Sequence, residues 1–162
     1  MRRIGIWIGM AAALCAIIFA PAFAAEERAV PYWASLAAGD ALLRTGPGRN
    51  FPATWRYRRA ELPLKVVQVH ETWRKVREFD GTEGWMAAAL LTAERTAMVV
   101  GEVRPMRAAP DGGARIVWRA APGVVGKIAH CASGWCEFNV RGRVGYIEIG
   151  QIWGVEPGDT VD

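Results

Sequence analysis

The sequence has few of the residues from which hydrolytic sites are built. Its 162 residues include two histidines, His70 and His130, and two serines, Ser35 and Ser133. None of the four lies in a G-x-S-x-G or H-E-x-x-H pattern. A hydrolase needs a nucleophile, a base and a group that orients the base. We therefore expect a protein that is not an enzyme, unless these distant residues meet in the fold.

Cysteine is equally scarce, and its spacing bears on metal sites. After Cys15, the chain has Cys131 and Cys136, which flank the tetrapeptide Ala-Ser-Gly-Trp. A hairpin turn there would place the two side chains within disulfide reach, and in an oxidising compartment they would pair. The alternatives are a redox pair, although the spacing is not C-x-x-C, and a zinc site, which would need both histidines. We expect the disulfide, and no metal or cofactor.

Glycine, proline and tryptophan are abundant instead. Eighteen glycines, nine prolines and eight tryptophans accompany 52% hydrophobic and 22% charged residues, at a mean hydropathy of +0.09. This composition excludes a disordered chain and favours short strands joined by turns. A length of 162 residues corresponds to one domain or two small ones.

The beginning of the chain has the pattern of a secretion signal. Two arginines precede a run of 22 uncharged residues, and Pro21 with Ala22-Phe23-Ala24 supplies the helix break and the small residues of a cleavage site. We predict a signal peptide over residues 1–24, cleavage after Ala24, and a periplasmic or secreted protein that meets the membrane only before cleavage. The alternatives are an uncleaved anchor and a lipoprotein modified at Cys15.

The charge distribution argues against a nucleic-acid partner. The formal net charge is +4, and loss of the two arginines with the signal segment leaves +2. Nucleic-acid binders usually carry a stronger and more clustered excess. The basic excess falls in residues 41–91 and 102–153, whereas residues 156–162 form an acidic tail. We expect a weak preference for anionic envelope surfaces.

An internal repeat sets the domain organisation. The repeated positions are offset by 61 to 63 residues, with single-residue drifts at the loops, as is typical of two copies of one domain. We predict a first repeat over residues 30–93 and a second over residues 98–155, in contact across a short linker. The matched pairs are Arg44 and Arg107, Pro47 and Pro110, Trp55 and Trp118, Trp73 and Trp135, and Gly84 and Gly145.

Each repeat has the pattern of β structure. In the first, the β-branched run Leu64–His70 and the alternating run Arg74–Phe79 precede Asp80-Gly81, a hairpin signal because glycine supplies the positive φ of the turn. In the second, Val125–Cys131 and Cys136–Val140 repeat this order. Long Gly/Pro-rich stretches precede both, and helical patterns are nearly absent. We predict an all-β chain of two small, strongly bent barrels with five short strands each.

Longer motifs occur in both repeats. The first contains Leu42-Leu43-Arg44-Thr45-Gly46-Pro47-Gly48, Trp73-Arg74-Lys75-Val76 and Asp80-Gly81-Thr82-Glu83-Gly84-Trp85. The second contains Cys131-x-x-x-Trp135-Cys136 and Gly142-x-x-Gly145-Tyr146-Ile147. Together they resemble the bacterial SH3-like (SH3b) family, in particular its exported tandem members. The resemblance implies two tandem SH3-like barrels, no catalysis by them, and binding of cell-wall peptide or envelope protein.

The candidate ligand contacts are aromatic and basic. By the resemblance, Trp73 and Trp135 begin the strand after the loop that borders the ligand groove of SH3 domains. Arg44 and Arg107 precede the Gly/Pro-rich loop of each repeat. We take these four as candidate ligand-binding residues. The alternative is that the tryptophans form a lid over a barrel end or a contact between the repeats.

Two other tryptophans are expected to have a structural role. Trp55 and Trp118 fall in the middle of strands, which places them in the barrel cores. The alternation Trp55-Arg56-Tyr57-Arg58-Arg59 is expected to be the solvated face of an edge strand, the alternative being a surface that stacks on sugars or bases.

The function that these patterns predict is non-catalytic binding in the cell envelope. The ligand is peptidoglycan stem peptide or an extended segment of an envelope protein, held in an aromatic-lined groove. The alternative is a structural or assembly subunit of an envelope complex that has no wall ligand. The oligomeric state is left open.

Overall fold

The computed structural model describes residues 28–161, which form two antiparallel sheets of seven strands each. The predicted signal peptide over residues 1–24, its cleavage site and Cys15 lie outside the described residues. Within residues 28–161, no helix is long and apolar enough to cross a membrane.

The first sheet is formed by the first repeat. Its strands are β1 (Tyr32–Leu36), β2 (Ala41–Arg44), β3 (Ala53–Tyr57), β4 (Pro63–His70), β5 (Trp73–Arg77), β6 (Glu83–Ala87) and β7 (Leu91–Thr92). A 3-10 turn over Ala88–Leu90 joins β6 to β7. The strand order is β3-β2-β6-β5-β4-β1-β7, so β3 and β7 are the edges.

The second sheet repeats this topology. Its strands are β8 (Thr96–Val99), β9 (Arg104–Arg107), β10 (Ile116–Ala120), β11 (Val125–Ala132), β12 (Trp135–Val140), β13 (Arg143–Glu148) and β14 (Ile152–Trp153). A 3-10 turn over Ile149–Gln151 precedes β14. The strand order is β10-β9-β13-β12-β11-β8-β14, which matches the first sheet strand for strand.

The predicted all-β fold of two small SH3-like barrels is confirmed. Each sheet has seven strands where five were expected. The two-residue strands β7 and β14 are too short to show an alternating pattern in the sequence.

The predicted turn at Asp80-Gly81 joins β5 to β6. Gly81 has a φ of 88°, and the backbone N–H of Thr82 donates to Asp80 Oδ1 at 2.9 Å. The equivalent turn between β12 and β13 uses Gly142, whose φ is also 88° and whose N–H donates to Asn139 Oδ1 at 2.8 Å. Both hairpins therefore depend on glycine at the position that requires positive φ.

Each repeat has its own hydrophobic core, built from the alternate side chains that point inward from its strands. Removing these side chains from water is the main stabilising contribution to each barrel. The fully buried side chains of the first core include Leu36, Leu43, Leu64, Val66, Val76 and Met86. Those of the second include Val99, Met106, Cys136, Phe138 and Ile147.

The predicted disulfide is present. Cys131 on β11 and Cys136 on β12 are bonded and buried within the second core. The described end of the acidic tail packs on the same hairpin, because the N–H of Cys131 donates to the carbonyl of Val161 at 3.0 Å and Val161 is buried. The first repeat has no cysteine, so the disulfide stabilises one barrel alone.

The two barrels are in contact, as expected. The hydroxyl groups of Ser35 on β1 and Thr96 on β8 are buried and hydrogen-bonded at 2.6 Å. The rings of Trp33 and Trp153 meet edge to face, with centroids 4.8 Å apart. A Cβ atom at Gly154 of the second barrel would lie 3.1 Å from Cβ of Pro63 in the first barrel, so the backbone of one barrel approaches the other closely here. Two tryptophans that the sequence did not single out therefore join the barrels.

Candidate functional site

A groove in the first repeat surrounds Trp73. Its volume is about 580 Å³, within the range of small-molecule and peptide sites. Strands β2, β3 and β5, the long loop after β2 and the 3-10 turn each contribute to it. We call it the first-repeat groove; its lining residues are Asp40, Ala41, Leu42, Arg44, Arg49, Arg56, Trp73, Ala87, Ala89 and Leu90.

The position of Trp73 follows from the strand register. Trp73 begins β5 and lies opposite Ala87 on β6. Paired residues of an antiparallel ladder have their side chains on the same face. Because Ala87 has only a methyl group, the half-buried indole keeps part of its surface open to the groove. An open indole face can stack on a flat group or attract a cation.

Arg44 lies in the same groove, but its guanidinium also has a structural partner. Its Nη1 donates to the carbonyl of Phe51 at 2.7 Å, which ties the long loop back to β2. In the second repeat, Nη1 of Arg107 donates to the carbonyl of Ala114 at 2.7 Å. Both arginines thus bond to a carbonyl seven residues downstream. The repeated arginine positions the loop in each barrel.

Two further arginines line the first-repeat groove. Arg56 on β3 binds the carboxylate of Asp40 through both Nε, at 2.7 Å, and Nη2. The hydrogen bond from Arg56 lowers the pKa of Asp40 below its ordinary value, so Asp40 is ionised at neutral pH. Arg49 is exposed, and no carboxylate of residues 28–161 lies within ion-pair distance of it. With three arginines and one carboxylate in its lining, the groove therefore has two cations in excess.

Three charged residues line the groove without having been predicted as site residues, namely Arg49, Arg56 and Asp40. Arg49 belongs to a Gly/Pro-rich loop without periodicity, so its position depends on how the loop folds back. One signal was available, namely a charged residue directly after Gly46-Pro47-Gly48. Arg56 and Asp40 meet only because β2 and β3 pair in one register.

The second repeat forms a different groove around Trp135. Its volume is about 410 Å³, and Arg107 is not among its lining residues. Trp135 lies opposite Glu148, so a carboxylate occupies the place of the Ala87 methyl group. The structure therefore brings Trp73 and Arg44 into one cavity and keeps Trp135 and Arg107 apart. The lining residues are Gly134, Trp135, Glu148, Ile149, Gly150, Pro157 and Gly158.

The prediction that Trp55 is a core residue is wrong, whereas Trp118 packs against its core. Trp55 lies on the edge strand β3 and is 61% exposed. Trp118 stacks on Phe138 with ring centroids 6.4 Å apart, and its Nε1–H donates to the carbonyl of Val144 at 2.9 Å. Alternation along a strand fixes which face a side chain takes, but not whether another element covers that face.

Within the described part of the chain, no three or more His, Cys, Asp or Glu side chains are grouped so that they could hold a metal ion. The first-repeat groove contains carboxylate, guanidinium and indole groups and no thiol, hydroxyl or imidazole. Its chemistry is that of recognition: stacking on an aromatic ring and charge pairing with an anion.

Comparison with protein families matches the model for the bacterial SH3 domain twice, over residues 37–92 and 100–154. The chain belongs to the bacterial SH3 domain family. The two matches correspond to the two sheets, so each barrel is one member of the family. No curated protein matches the chain.

Solved structures that match include NlpC2 and NlpC1 from Trichomonas vaginalis. NlpC2 is 15% identical with a TM-score of 0.35, over 82% of this chain and 52% of that one. NlpC1 is 16% identical with a TM-score of 0.34, over 80% of this chain and 48% of that one. The chain spans about half the length of these structures.

Proposed function

We propose that the chain is a non-catalytic recognition module of the cell envelope, and that its first-repeat groove binds an extended peptide bearing a free carboxylate. A peptidoglycan stem peptide has this chemistry, as has an extended acidic segment of an envelope protein. The observation that carries the proposal is that the open indole of Trp73 and the guanidinium of Arg49, which pairs with no carboxylate of residues 28–161, line the same groove. Arginine matches a carboxylate with two parallel hydrogen bonds.

The arrangement of the groove supports a peptide rather than a single ion. Trp73, Leu42 and Leu90 supply an apolar floor, and the arginines lie around it. Such a site contacts side chains by stacking and apolar packing, while a cation fixes the terminal carboxylate. The second-repeat groove carries Glu148 instead, so the two grooves are not equivalent sites for one anionic ligand.

We also propose that the protein works outside the cytoplasm. The disulfide between Cys131 and Cys136 supports this location, since disulfides persist in oxidising compartments. Intact-mass measurement of protein from a periplasmic fraction tests it, with cleavage after Ala24 and no free thiol as the expected result. A mass that retains residues 1–24, or two alkylated thiols, contradicts the proposal.

The function is tested by sedimentation with purified insoluble peptidoglycan at low salt. The wild-type protein is expected in the pellet, and Trp73→Ala is expected to weaken binding about tenfold or more, as for a buried aromatic anchor. Arg49→Ala is expected to weaken it several-fold, by an amount that shrinks as salt is added. Trp135→Ala is the matched control and is expected to bind as wild type does.

Three outcomes contradict the proposal in different ways. A wild-type protein that stays in the supernatant excludes peptidoglycan as the ligand. Equal sedimentation of wild type and Trp73→Ala excludes the first-repeat groove, even though the wall remains the ligand. Equal losses in Trp73→Ala and Trp135→Ala mean that both grooves contribute by avidity.

A second candidate function is an assembly subunit without a wall ligand. The exposed Trp55 on an edge strand favours it, because a large exposed indole is typical of protein interfaces. A pull-down from envelope extract with wild type and Trp55→Ala separates the two functions. A partner that is lost only in Trp55→Ala, together with no binding to peptidoglycan, is the result expected of an assembly subunit.

A further inference from the structure

The edge strand β3 is open along its outer side. It pairs with β2 and ends the strand order of the first sheet. Four of its five residues, Ala53–Arg56, are exposed, and Tyr57 is buried. Every second residue of an edge strand directs its backbone N–H and C=O away from the sheet. These groups are available to pair with another extended chain.

The exposure of Trp55 is imposed by the core beneath it. Trp55 lies opposite Leu43, as Trp118 lies opposite Met106. Leu43 packs so closely over Gly84 that a Cβ there would lie 2.4 Å from its Cγ. The branched side chain of Leu43 thus fills the space into which the indole would otherwise fold.

The stacking partner of the indole is also missing in the first repeat. Trp118 stacks on Phe138, and the guanidinium of Arg143 lies over the Trp118 ring at 5.1 Å from its centroid. The position of Phe138 is taken by Val76 in the first repeat. Trp55 is left outside, beside a shallow depression of about 400 Å³ lined by Leu42, Ala53, Thr54, Trp55 and Arg56.

The open edge is strongly basic. Arg56, Arg58 and Arg59 follow Trp55 within four residues, and all three are exposed. Arg58 forms no ion pair with a carboxylate of residues 28–161. Two copies of this edge would bring like charges together, which disfavours self-association. An acidic chain is complementary to it.

We propose that β3 is a docking edge for an extended, acidic segment of a partner protein. The segment adds to the first sheet as a strand next to β3, places a carboxylate against Arg58, and packs an apolar side chain on Trp55 in the adjoining depression. Main-chain hydrogen bonds give affinity in this mode of recognition, and alternate side chains give specificity. The depression shares Leu42 and Arg56 with the first-repeat groove, but its anchor Trp55 does not line that groove.

The probes are two six-residue peptides, acetyl-(Glu-Val)₃-amide and acetyl-(Lys-Val)₃-amide, added to the mature protein. Backbone amide shifts measured by NMR are expected to change along β3 with the glutamate peptide and to stay unchanged with the lysine peptide. Trp55→Ala and Arg58→Glu are each expected to weaken binding about tenfold or more. The same charge reversal on the edge strand of the second repeat, Arg119→Glu on β10, is the control and is expected to bind normally.

Methylated peptides test strand addition itself. N-methylation of all three valines, or of all three glutamates, removes the N–H groups that lie on one side of the added strand. One of the two methylated peptides is expected to lose binding. If both bind as the parent does, or if the glutamate peptide binds no better than the lysine peptide, the docking edge is wrong. Amide shift changes confined to Trp73 and Arg49 also contradict the docking edge, because they mean that the acidic peptide binds in the first-repeat groove.

The peptidoglycan assay distinguishes a failure of the docking edge from a failure of the first-repeat groove. Trp55→Ala is expected to sediment with peptidoglycan as wild type does, because Trp55 lies outside the first-repeat groove. Thermal unfolding of each variant controls for folding, and no loss of stability is expected from an exposed side chain.

Discussion

Trp55 and Trp118 occupy equivalent positions on β3 and β10, yet one is exposed and the other is packed. The backbone register is the same, since Trp55 lies opposite Leu43 and Trp118 opposite Met106. The difference lies in the neighbours, because Phe138 offers a stacking surface that its counterpart Val76 lacks. Two copies of one scaffold thus place the same residue type against the core in one case and in contact with solvent in the other.

The charges on the equivalent outer faces differ in the same way. Lys75 lies opposite Trp85 in the first repeat, whereas Glu137 lies opposite Tyr146 in the second. Aromatic residues are retained at both positions, and the charge beside them changes sign. The arginines that tie the long loop to the barrel are the same in both repeats, whereas the charges on these outer faces differ.

The largest expected difference between the repeats is at the core position of Phe138. Phe138→Ala removes a fully buried ring and the surface on which Trp118 stacks, so we expect a loss of about 4 kcal/mol in unfolding free energy. Val76→Ala, the matched change, is expected to cost about 2 kcal/mol because fewer atoms are removed. Urea denaturation measures both. Equal losses would mean that Trp118 does not depend on Phe138.

Loss of the disulfide is expected to affect the second repeat alone. A loop of six residues closed by a disulfide contributes about 2 kcal/mol by the chain-entropy estimate. Cys131→Ser with Cys136→Ser removes this contribution and loosens the contact of Val161 with Cys131. Hydrogen exchange is expected to speed up in β11 and β12 and to stay unchanged in β4 and β5. Faster exchange in both barrels would show that they unfold as one unit.

The partly buried hydrogen bond between Tyr57 and Glu78 has no counterpart in the second repeat, where Ala120 and Val140 occupy these places. Burial, with the hydrogen bond to Glu78, raises the pKa of Tyr57 well above its ordinary value of 10.0. As the pH rises above 10, the folded state therefore keeps the hydroxyl proton of Tyr57, whereas the unfolded state loses it. This contribution to stability is complete below pH 10 and is lost as the pH rises further.

Tyr57→Phe tests this difference. We expect a loss of about 1 kcal/mol at pH 7, because Glu78 loses a hydrogen-bond donor in a half-buried position. Above pH 10 the difference in stability between wild type and Tyr57→Phe should narrow. The wild type then loses a contribution to stability that the variant does not have. Thermal unfolding between pH 7 and pH 11 measures this difference. A difference in stability that stays constant from pH 7 to pH 11 would contradict the raised pKa of Tyr57 in the folded state.

The sequence carried enough information for the fold but only part of the groove. The offset pairs, the turn at Asp80-Gly81 and the cysteine spacing predicted two barrels, a hairpin and the disulfide, because each depends on local chemistry. Trp73 and Arg44 were predicted as candidates, and the structure places both in one groove. The pairing of β2 with β3 and the path of the loop that contains Arg49 are long-range properties, which no local pattern specifies.

The same limit explains the error at Trp55. Trp55 and Tyr57 both belong to β3, as the alternating pattern predicted. Whether the Trp55 side chain is buried, however, depends on the size of Leu43 and on Val76 beneath it. Trp55 and Trp118 occupy equivalent positions, but they differ in burial because their neighbours differ. Comparison of the two repeats indicates this difference, because Val76 in the first repeat replaces Phe138 of the second.

The smallest expected effect on stability is at Trp55 itself. Trp55→Ala removes an indole that is 61% exposed, so we expect a change within about 0.5 kcal/mol. Trp118→Ala, its matched partner, removes a stacked ring and leaves the carbonyl of Val144 without its indole donor, and about 2 kcal/mol is expected. Urea denaturation of the two variants measures the difference directly. A loss at Trp55 as large as that at Trp118 would mean that the indole packs against the barrel in solution, and it would remove the anchor on which docking at β3 depends.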